Sequence, residues 1–184
     1  MVLISPTLKI APGNQVATVA AGCFWGVEHI FRKHFGSGKG LVDARVGYCG
    51  GVTENPTYKA VCTSSTQHAE ALQIEFDPKV VSYETLIDFF FRIHDPTTAN
   101  RQGPDVGTQY RSAIFTHSDE QQKIAEAVKE KMEKTFWGNK IVTDVLPISN
   151  WWDAEDYHQK YLKNNPGGYE CPTHYLRSKP ENRL

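Results

Sequence analysis

The sequence predicts an α+β domain of two layers, in which helices pack on one side of a mainly antiparallel sheet. Short runs of β-branched and apolar residues alternate along the chain with segments whose apolar residues recur at helical spacing. The first six predicted elements follow the order strand, helix, strand, strand, helix, strand. This βαββαβ order is that of the split βαβ, ferredoxin-like unit, so we expect such a core with long loops and an irregular C-terminal tail.

The first half of the chain supplies three strands and a helix. The apolar run at residues 16–20 predicts the first strand, and the helical pattern that follows begins at Phe24 and continues to Phe35. Alternating residues predict the second strand over residues 41–48 and the third over residues 69–76. The Gly-, Pro- and Asn-rich segment between these two strands is predicted to be a loop.

The second half begins with a helix for which Ser82 is the predicted N-cap. A long polar loop then precedes a fourth strand, which we expect over residues 110–116. Ser118 starts a capping-box pattern and predicts a helix that extends to Met132. Residues 141–146 predict a further strand. We also expect Asp153 to cap a last short helix.

Length and composition indicate one ordinary globular domain. The chain has 184 residues, of which 40% are hydrophobic and 22% charged, and no linker or repeat divides it. We therefore expect a single domain over residues 1–184, with a core at about 16–162 and a flexible tail at 163–184. The net charge of −1 indicates no general attraction to nucleic acid, and no apolar run is long enough to span a bilayer. A cytoplasmic location is expected because the N-terminus lacks the pattern of a secretory signal.

The chain contains four cysteines, at positions 23, 49, 62 and 171. Because none of them forms a C-x-x-C pair, the sequence predicts neither a metal site nor a thioredoxin-type motif. A stable disulfide framework is not expected in a cytosolic protein. We expect Cys62 to be buried, whereas Cys49 lies beside a glycine-rich loop, where partial exposure and a role in redox recycling stay open.

Cys23 lies in the segment Gly22-Cys23-Phe24-Trp25-Gly26, where the first strand ends and the first helix begins. Free backbone N–H groups at a helix start favour a thiolate and lower the pKa of a cysteine. The glycines allow a tight turn, and the two aromatic residues suggest a small apolar pocket. The position therefore predicts a reactive nucleophile. An inert buried cysteine is the alternative interpretation.

The pentapeptide resembles the signature of the methionine sulfoxide reductase A family, the peptide-methionine (S)-S-oxide reductases. Six further segments resemble the same family, in order and without a gap: Gly50-Gly51-Val52-Thr53, Asn55-Pro56-Thr57-Tyr58, His68-Ala69-Glu70, Gly107-Thr108-Gln109-Tyr110-Arg111-Ser112, Tyr157-His158-Gln159 and Gly168-Tyr169-Glu170-Cys171. The resemblance covers the chain from about residue 16 to the C-terminus. It implies the same core fold and the reduction of methionine S-sulfoxide, free or within proteins, as repair of oxidative damage.

Sulfoxide reduction needs a nucleophilic thiol, a proton donor, hydrogen-bond donors for the oxygen and an apolar seat for the methyl group. By resemblance, the acid is Glu70, the oxygen donors are Tyr58 and Tyr110, and Phe24 and Trp25 form the seat. Burial at the entry to an apolar strand would raise the pKa of Glu70 toward neutrality. The alternatives are a solvated charge for Glu70 and plain packing at the helix start for Phe24.

The resemblance also implies how the enzyme is reset. The Gly- and Pro-rich tail carries one cysteine, Cys171, which would condense with the sulfenic acid of Cys23 to a disulfide that thioredoxin reduces. We expect this thiol to be mobile and exposed, and we expect a monomer that needs no cofactor or metal. Asp105 would order water or polar atoms at the site, although a turn-forming aspartate is the alternative.

Two other functional classes stay open on the sequence alone. A glycine before Cys23 and a tryptophan two residues after it are similar to the surroundings of the nucleophile in papain-type hydrolases, a class that needs a histidine base. A module that binds peptides or zinc is the second alternative, although the cysteine spacing argues against it. Among the seven histidines, His158 is expected to have a structural role.

Overall fold

A computed structural model describes residues 2–138 and 140–178. The strands are β1 (Gln15–Ala21), β2 (Leu41–Cys49), β3 (Ala69–Phe76), β4 (Arg101–Gln102), β5 (Asp105–Val106), β6 (Ser112–Thr116), β7 (Asp144–Pro147) and β8 (Trp151–Asp153). The α-helices are α1 (Phe24–Phe35), α2 (Tyr58–Val61), α3 (Tyr83–Ile93), α4 (Asp119–Met132) and α5 (Tyr161–Asn164). The predicted mixed α+β class is confirmed.

Six of the strands form one sheet in the order β7-β6-β1-β3-β2-β8, while β4 and β5 form a separate small ladder. Neighbouring strands in the large sheet are antiparallel except β6 and β7, which run parallel. The central strand β3 is buried along its whole length. It is therefore the rigid element on which a functional side chain can be held most firmly.

Apolar faces of α1 and α3 pack against the sheet and form the main core. The rings of Phe31, Phe35 and Phe89 meet in tilted and edge-on contacts, with centroids 4.9 to 6.1 Å apart. Two of the three predicted N-caps are confirmed, because Ser82 Oγ accepts the N–H of Thr85 and Ser118 Oγ accepts the N–H of Gln121.

The C-terminal half differs from the prediction in several elements. The fourth strand begins at Ser112 rather than at residue 110, and β4 and β5 lie in the segment predicted to be a loop. Residues 141–143 are not a strand, and β7 begins only at Asp144. Asp153 does not cap a helix, because it lies in β8, which pairs with β2. Gly47 makes this pairing possible, since a Cβ there would lie 2.4 Å from the carbonyl oxygen of Trp152. Among the described residues, no helix is long and apolar enough to cross a membrane.

Candidate active site

Cys23 lies at the turn where the sequence predicts it, as the N-cap residue of α1. Cys23 is 7% exposed, and its side chain forms no capping hydrogen bond with the start of the helix, although the backbone N–H groups of Trp25 and Gly26 lie near its Sγ. Gly22 has a positive φ of 91°, and a Cβ at this position would lie 2.7 Å from the side chain of Gln102. The turn is therefore tight and closely covered by other parts of the chain.

Burial raises the pKa of the Cys23 thiol above its usual value, and the nearby Glu70 carboxylate raises it further. The backbone N–H groups of Trp25 and Gly26 lower the pKa, as the helix start predicts, but they are outweighed. The prediction that the helix start gives this thiol a low pKa is therefore wrong for the folded protein without substrate. The physical reason is desolvation of the turn.

Glu70 lies in β3 and is buried, which contradicts the alternative of a solvated strand-end charge. Its Oε2 accepts the backbone N–H of Phe24, the residue after Cys23, at 3.0 Å. Burial raises the pKa of Glu70 to about 8, although the Phe24 N–H lowers it, and Asp105 raises it further. The carboxyl group therefore holds a proton at neutral pH at the same turn as the candidate nucleophile.

Tyr58 and Tyr110 are partly buried at this site. Burial raises the pKa of each phenol, and the Glu70 carboxylate raises both further. The charge of Cys23 also raises the pKa of Tyr110, which indicates that Tyr110 lies near the sulfur. Both hydroxyls consequently stay protonated and can donate hydrogen bonds. The nearby thiol of Cys62 also raises the pKa of Tyr58.

The two aromatic residues that follow Cys23 have different surroundings. Phe24 is 1% exposed and packs on the rings of Tyr48 and His158, with centroids 5.9 and 5.1 Å away. Trp25 is partly buried, and its indole stacks on Tyr161 with ring centroids 3.8 Å apart. Its Nε1–H donates to His158 Nδ1 at 2.9 Å. Both rings are therefore fixed in place before any substrate binds.

Asp105 lies in β5 and connects the site to the tail. Both of its carboxylate oxygens accept the hydroxyl of Tyr169, at 3.0 and 3.1 Å. Its charge raises the pKa of Cys23 and of Glu70. Asp105 is thus close enough to act on the reacting groups, while it also holds a residue two positions from Cys171.

Cys171 is buried, at 2% exposure, so the expectation of an exposed tail thiol is wrong for this structure. Its Sγ lies 3.7 Å from the carbonyl oxygen of Gln102 and 3.2 Å from Thr173 Oγ1. Three residues further on, His174 Nε2 donates to the carbonyl oxygen of Ala21 at 2.7 Å. This part of the tail is therefore docked against the catalytic turn. Residues 179–184 of the predicted tail lie outside the described residues.

Of the other two cysteines, the sequence leaves the exposure of Cys49 open, and the exposure of Cys62 differs from expectation. Cys49 is fully buried, and its thiol donates to the carbonyl oxygen of Asn150 at 3.1 Å. Cys62 is exposed rather than buried, because it lies at the end of the short helix α2. Cys62 is thus the more accessible of the two. In the described ranges, no group of three or more His, Cys, Asp or Glu side chains could hold a metal ion.

Two further residues support the site, of which Glu155 has no signal in the sequence that could have assigned it, whereas His158 is expected from the sequence to have a structural role. Glu155 accepts the hydroxyl of Tyr48 at 3.1 Å and the backbone N–H of Tyr58 at 3.3 Å. His158 is buried, and its ring lies 4.5 Å from that of Tyr58 in addition to its contact with Trp25. The structural role expected for His158 is therefore support of the aromatic residues around Cys23.

Comparison with known proteins gives one consistent result. Residues 15–183 match the family model described as peptide methionine sulfoxide reductase. The chain is 56% identical over 164 residues to a probable peptide methionine sulfoxide reductase of Schizosaccharomyces pombe, covering 89% of this chain and 96% of that protein.

Solved structures agree with the sequence comparison. Mxr1 from Saccharomyces cerevisiae in reduced form superposes with a TM-score of 0.91 at 50% identity, covering 96% of this chain and 100% of that one. Mxr1 in complex with Trx2 gives a TM-score of 0.69 at 40% identity, with the same coverage of both chains. The resemblance noted in the sequence is confirmed. The chain is an enzyme and belongs to the peptide methionine sulfoxide reductase family.

Proposed function

We propose that this reductase acts on the S epimer of methionine sulfoxide, with Cys23 as nucleophile, Glu70 as proton donor and Cys171 as resolving thiol. The position of Glu70 carries the proposal. Its buried carboxyl group accepts the N–H of the residue after Cys23 and has a pKa of about 8. A carboxyl group that keeps its proton at neutral pH beside a thiol is suited to protonate the oxygen of a sulfoxide.

In the first proposed step, the sulfoxide oxygen accepts hydrogen bonds from the hydroxyls of Tyr58 and Tyr110 and from protonated Glu70. Cys23 Sγ attacks the sulfoxide sulfur, the oxygen takes the proton of Glu70, and the carboxylate takes the thiol proton. The hydroxyl then passes to Sγ, and methionine leaves. Cys23 ends as a sulfenic acid, oxidised by two electrons, and the sulfoxide is reduced by two.

The raised pKa of Cys23 fits this exchange of protons. The Glu70 carboxylate raises the cost of ionising the Cys23 thiol, so the pair favours one negative charge over two. A proton that moves from the thiol to the carboxylate keeps that charge constant. The N–H groups of Trp25 and Gly26 are then in position to stabilise the thiolate as it forms.

In the second proposed step, the thiol of Cys171 condenses with the sulfenic acid of Cys23, which forms a disulfide and releases water. Because Cys171 is buried against Gln102, the tail must leave its docked position first. Thioredoxin would then reduce the disulfide by thiol exchange. A solved complex of the relative Mxr1 with Trx2 supports this partner.

Two further features belong to the proposal. Since electrons pass only between sulfur atoms, we propose that the cycle uses no metal or organic cofactor. We also assign the core to the ferredoxin-like class. The assignment is supported by the strand order β6-β1-β3-β2 with antiparallel neighbours, together with one helix before and one after the β2–β3 pair.

The test is the Cys23→Ser variant with a peptide that contains methionine S-sulfoxide. We expect its turnover to be abolished, because a hydroxyl in place of the thiol cannot accept the oxygen. Cys62→Ser is the matched control, since this thiol is exposed and we expect its loss to leave turnover intact. Retained turnover in Cys23→Ser, or an R epimer that is reduced as fast as the S epimer, would contradict the proposal.

A further inference from the structure

A groove with a volume of about 500 Å³ lies between helix α1 and the chain segment that contains α5. Lysines and aromatic residues line it together with the Arg32–Glu28 ion pair and several small or apolar residues, and we call it the basic groove. Its principal lining residues are Trp25, His29, Lys33, Lys160, Tyr161 and Lys163. One lining residue, Trp25, is two residues from Cys23 in the sequence.

The positive charge of the basic groove is not balanced locally. The buried Glu28 is already occupied, because it accepts Arg32 Nε and the backbone N–H of Lys160, each at 2.8 Å. No carboxylate in the described parts of the chain forms an ion pair with Lys33, Lys160 or Lys163. In a protein whose net charge is −1, three such lysines around one groove form a local site for anions.

Aromatic contacts link the basic groove to the proposed substrate site. Trp25 stacks on Tyr161 at the edge of the groove, and its indole N–H donates to His158. The ring of His158 in turn lies 4.5 Å from that of Tyr58, the proposed oxygen donor. A peptide whose oxidised side chain reaches Cys23 can therefore continue across Trp25 toward the lysines.

The distance fits a peptide that extends from the reacting residue. His29 and Lys33 lie six and ten residues after Cys23, which corresponds to about 9 and 15 Å along a helix. An extended peptide spans about 3.3 Å per residue. Acidic residues about three to five positions from the oxidised methionine would thus reach His29 and Lys33.

We infer that the basic groove is a substrate subsite for carboxylate side chains, so that the enzyme favours oxidised methionines with aspartate or glutamate about three to five positions away. This inference rests on the proposed function, because it places the sulfoxide at Cys23. Partly exposed charge pairs of this kind are expected to raise kcat/KM about three- to tenfold in total.

The experiment compares peptides that contain one methionine S-sulfoxide and differ only at positions three to five on one side of it. One peptide of each pair carries aspartates and the other carries asparagines, with separate pairs for the N- and C-terminal sides. Dithiothreitol is the reductant, so that contacts with thioredoxin do not contribute. We expect one aspartate peptide to show the higher kcat/KM, with the difference lost at about 0.5 M salt.

The variant Lys33→Glu/Lys163→Glu is expected to reverse this preference, and the milder Lys33→Gln/Lys163→Gln to remove it. Lys123→Glu/Lys131→Glu, on α4, makes the same change in net charge outside the groove and should keep the preference. Equal kcat/KM within each peptide pair in the wild type, or a preference unchanged in both groove variants, would overturn the inference. Reduction of the asparagine peptides tests the proposed function separately, since it does not depend on the groove.

Discussion

At the scale of single residues, the central feature is the buried pair of the Cys23 thiol and the Glu70 carboxylic acid, which meet at the turn between β1 and α1. Burial raises the pKa of Cys23 and raises that of Glu70 to about 8. The resemblance to the family names both residues, but the sequence could not predict the direction in which the pKa of Cys23 moves. The N–H groups at the helix start, which lower the pKa, can be predicted from the local sequence. The burial of the turn, which raises the pKa, depends on Gln102 and His174, which are distant in the chain.

The Glu70→Gln variant should lower kcat/KM by about 10² to 10⁴ because an amide cannot supply the proton. In the wild type, the rate should fall above about pH 8, where Glu70 loses its proton. This alkaline limb should be absent from the variant. Glu75→Gln is the matched control, a buried glutamate in the same strand that is bonded to Ala11 and Asn14. An alkaline limb that persists unchanged in Glu70→Gln would remove Glu70 from the acid role.

Glu70 should also make stability depend on pH. Its pKa rises from 4.5 to about 8 on folding, so the folded state binds more protons between these values and loses stability as pH rises through them. Each tenfold difference in proton affinity between the folded and unfolded states changes the free energy of unfolding by up to about 1.4 kcal/mol. The Tm of Glu70→Gln should therefore match the wild type near pH 4 and exceed it by a growing margin up to pH 8. Equal Tm values at pH 8 would show that Glu70 ionises freely in the folded protein.

At the scale of elements, the sequence predicts long or strongly patterned segments well. The third strand has the predicted limits, and the caps at Ser82 and Ser118 form as expected. The errors fall on short elements. The three residues of β8 are too few for an alternating pattern, so the residue type of Asp153 alone favours a helix cap there.

The docking of the tail on α1 can be tested by adding one methyl group. A Cβ at Gly26 would lie 2.3 Å from His174 Nδ1, so Gly26→Ala should displace the tail and make Cys171 accessible. We expect faster alkylation of Cys171, measured by peptide mass mapping. Gly167→Ala is the matched control, because a Cβ there meets nothing within 4 Å. Alkylation of Cys171 at the wild-type rate in Gly26→Ala would contradict this role of the contact.

At the scale of the whole molecule, the tail has to move relative to the core. The proposed cycle requires Cys171 to leave a buried position held by Gln102, Thr173 and the Tyr169–Asp105 bond. The resemblance identifies the tail cysteine, but its buried state could not be predicted. The Gly- and Pro-rich composition of the tail indicates flexibility, whereas docking arises from contacts with the β4–β5 ladder, more than 60 positions away in the sequence.

The Cys171→Ser variant should separate the two halves of the cycle. It should release about one methionine per enzyme molecule and then stop when thioredoxin is the reductant, because no disulfide can form. Methionine release in single- and multiple-turnover experiments measures this, with Cys62→Ser as the control that keeps cycling. Continued cycling of Cys171→Ser would move the resolving role to another thiol, of which Cys62 is the accessible one.

The most direct test of the whole account is the intact mass of the reduced protein after exposure to one equivalent of each sulfoxide epimer. The S epimer should cause the loss of two hydrogen atoms, because a disulfide forms. Peptide mapping should place this disulfide between Cys23 and Cys171. The Cys171→Ser variant should instead gain one oxygen atom on Cys23. An unchanged mass after the S epimer, with Cys23 still a free thiol, would contradict the central claim that this sulfur takes the oxygen.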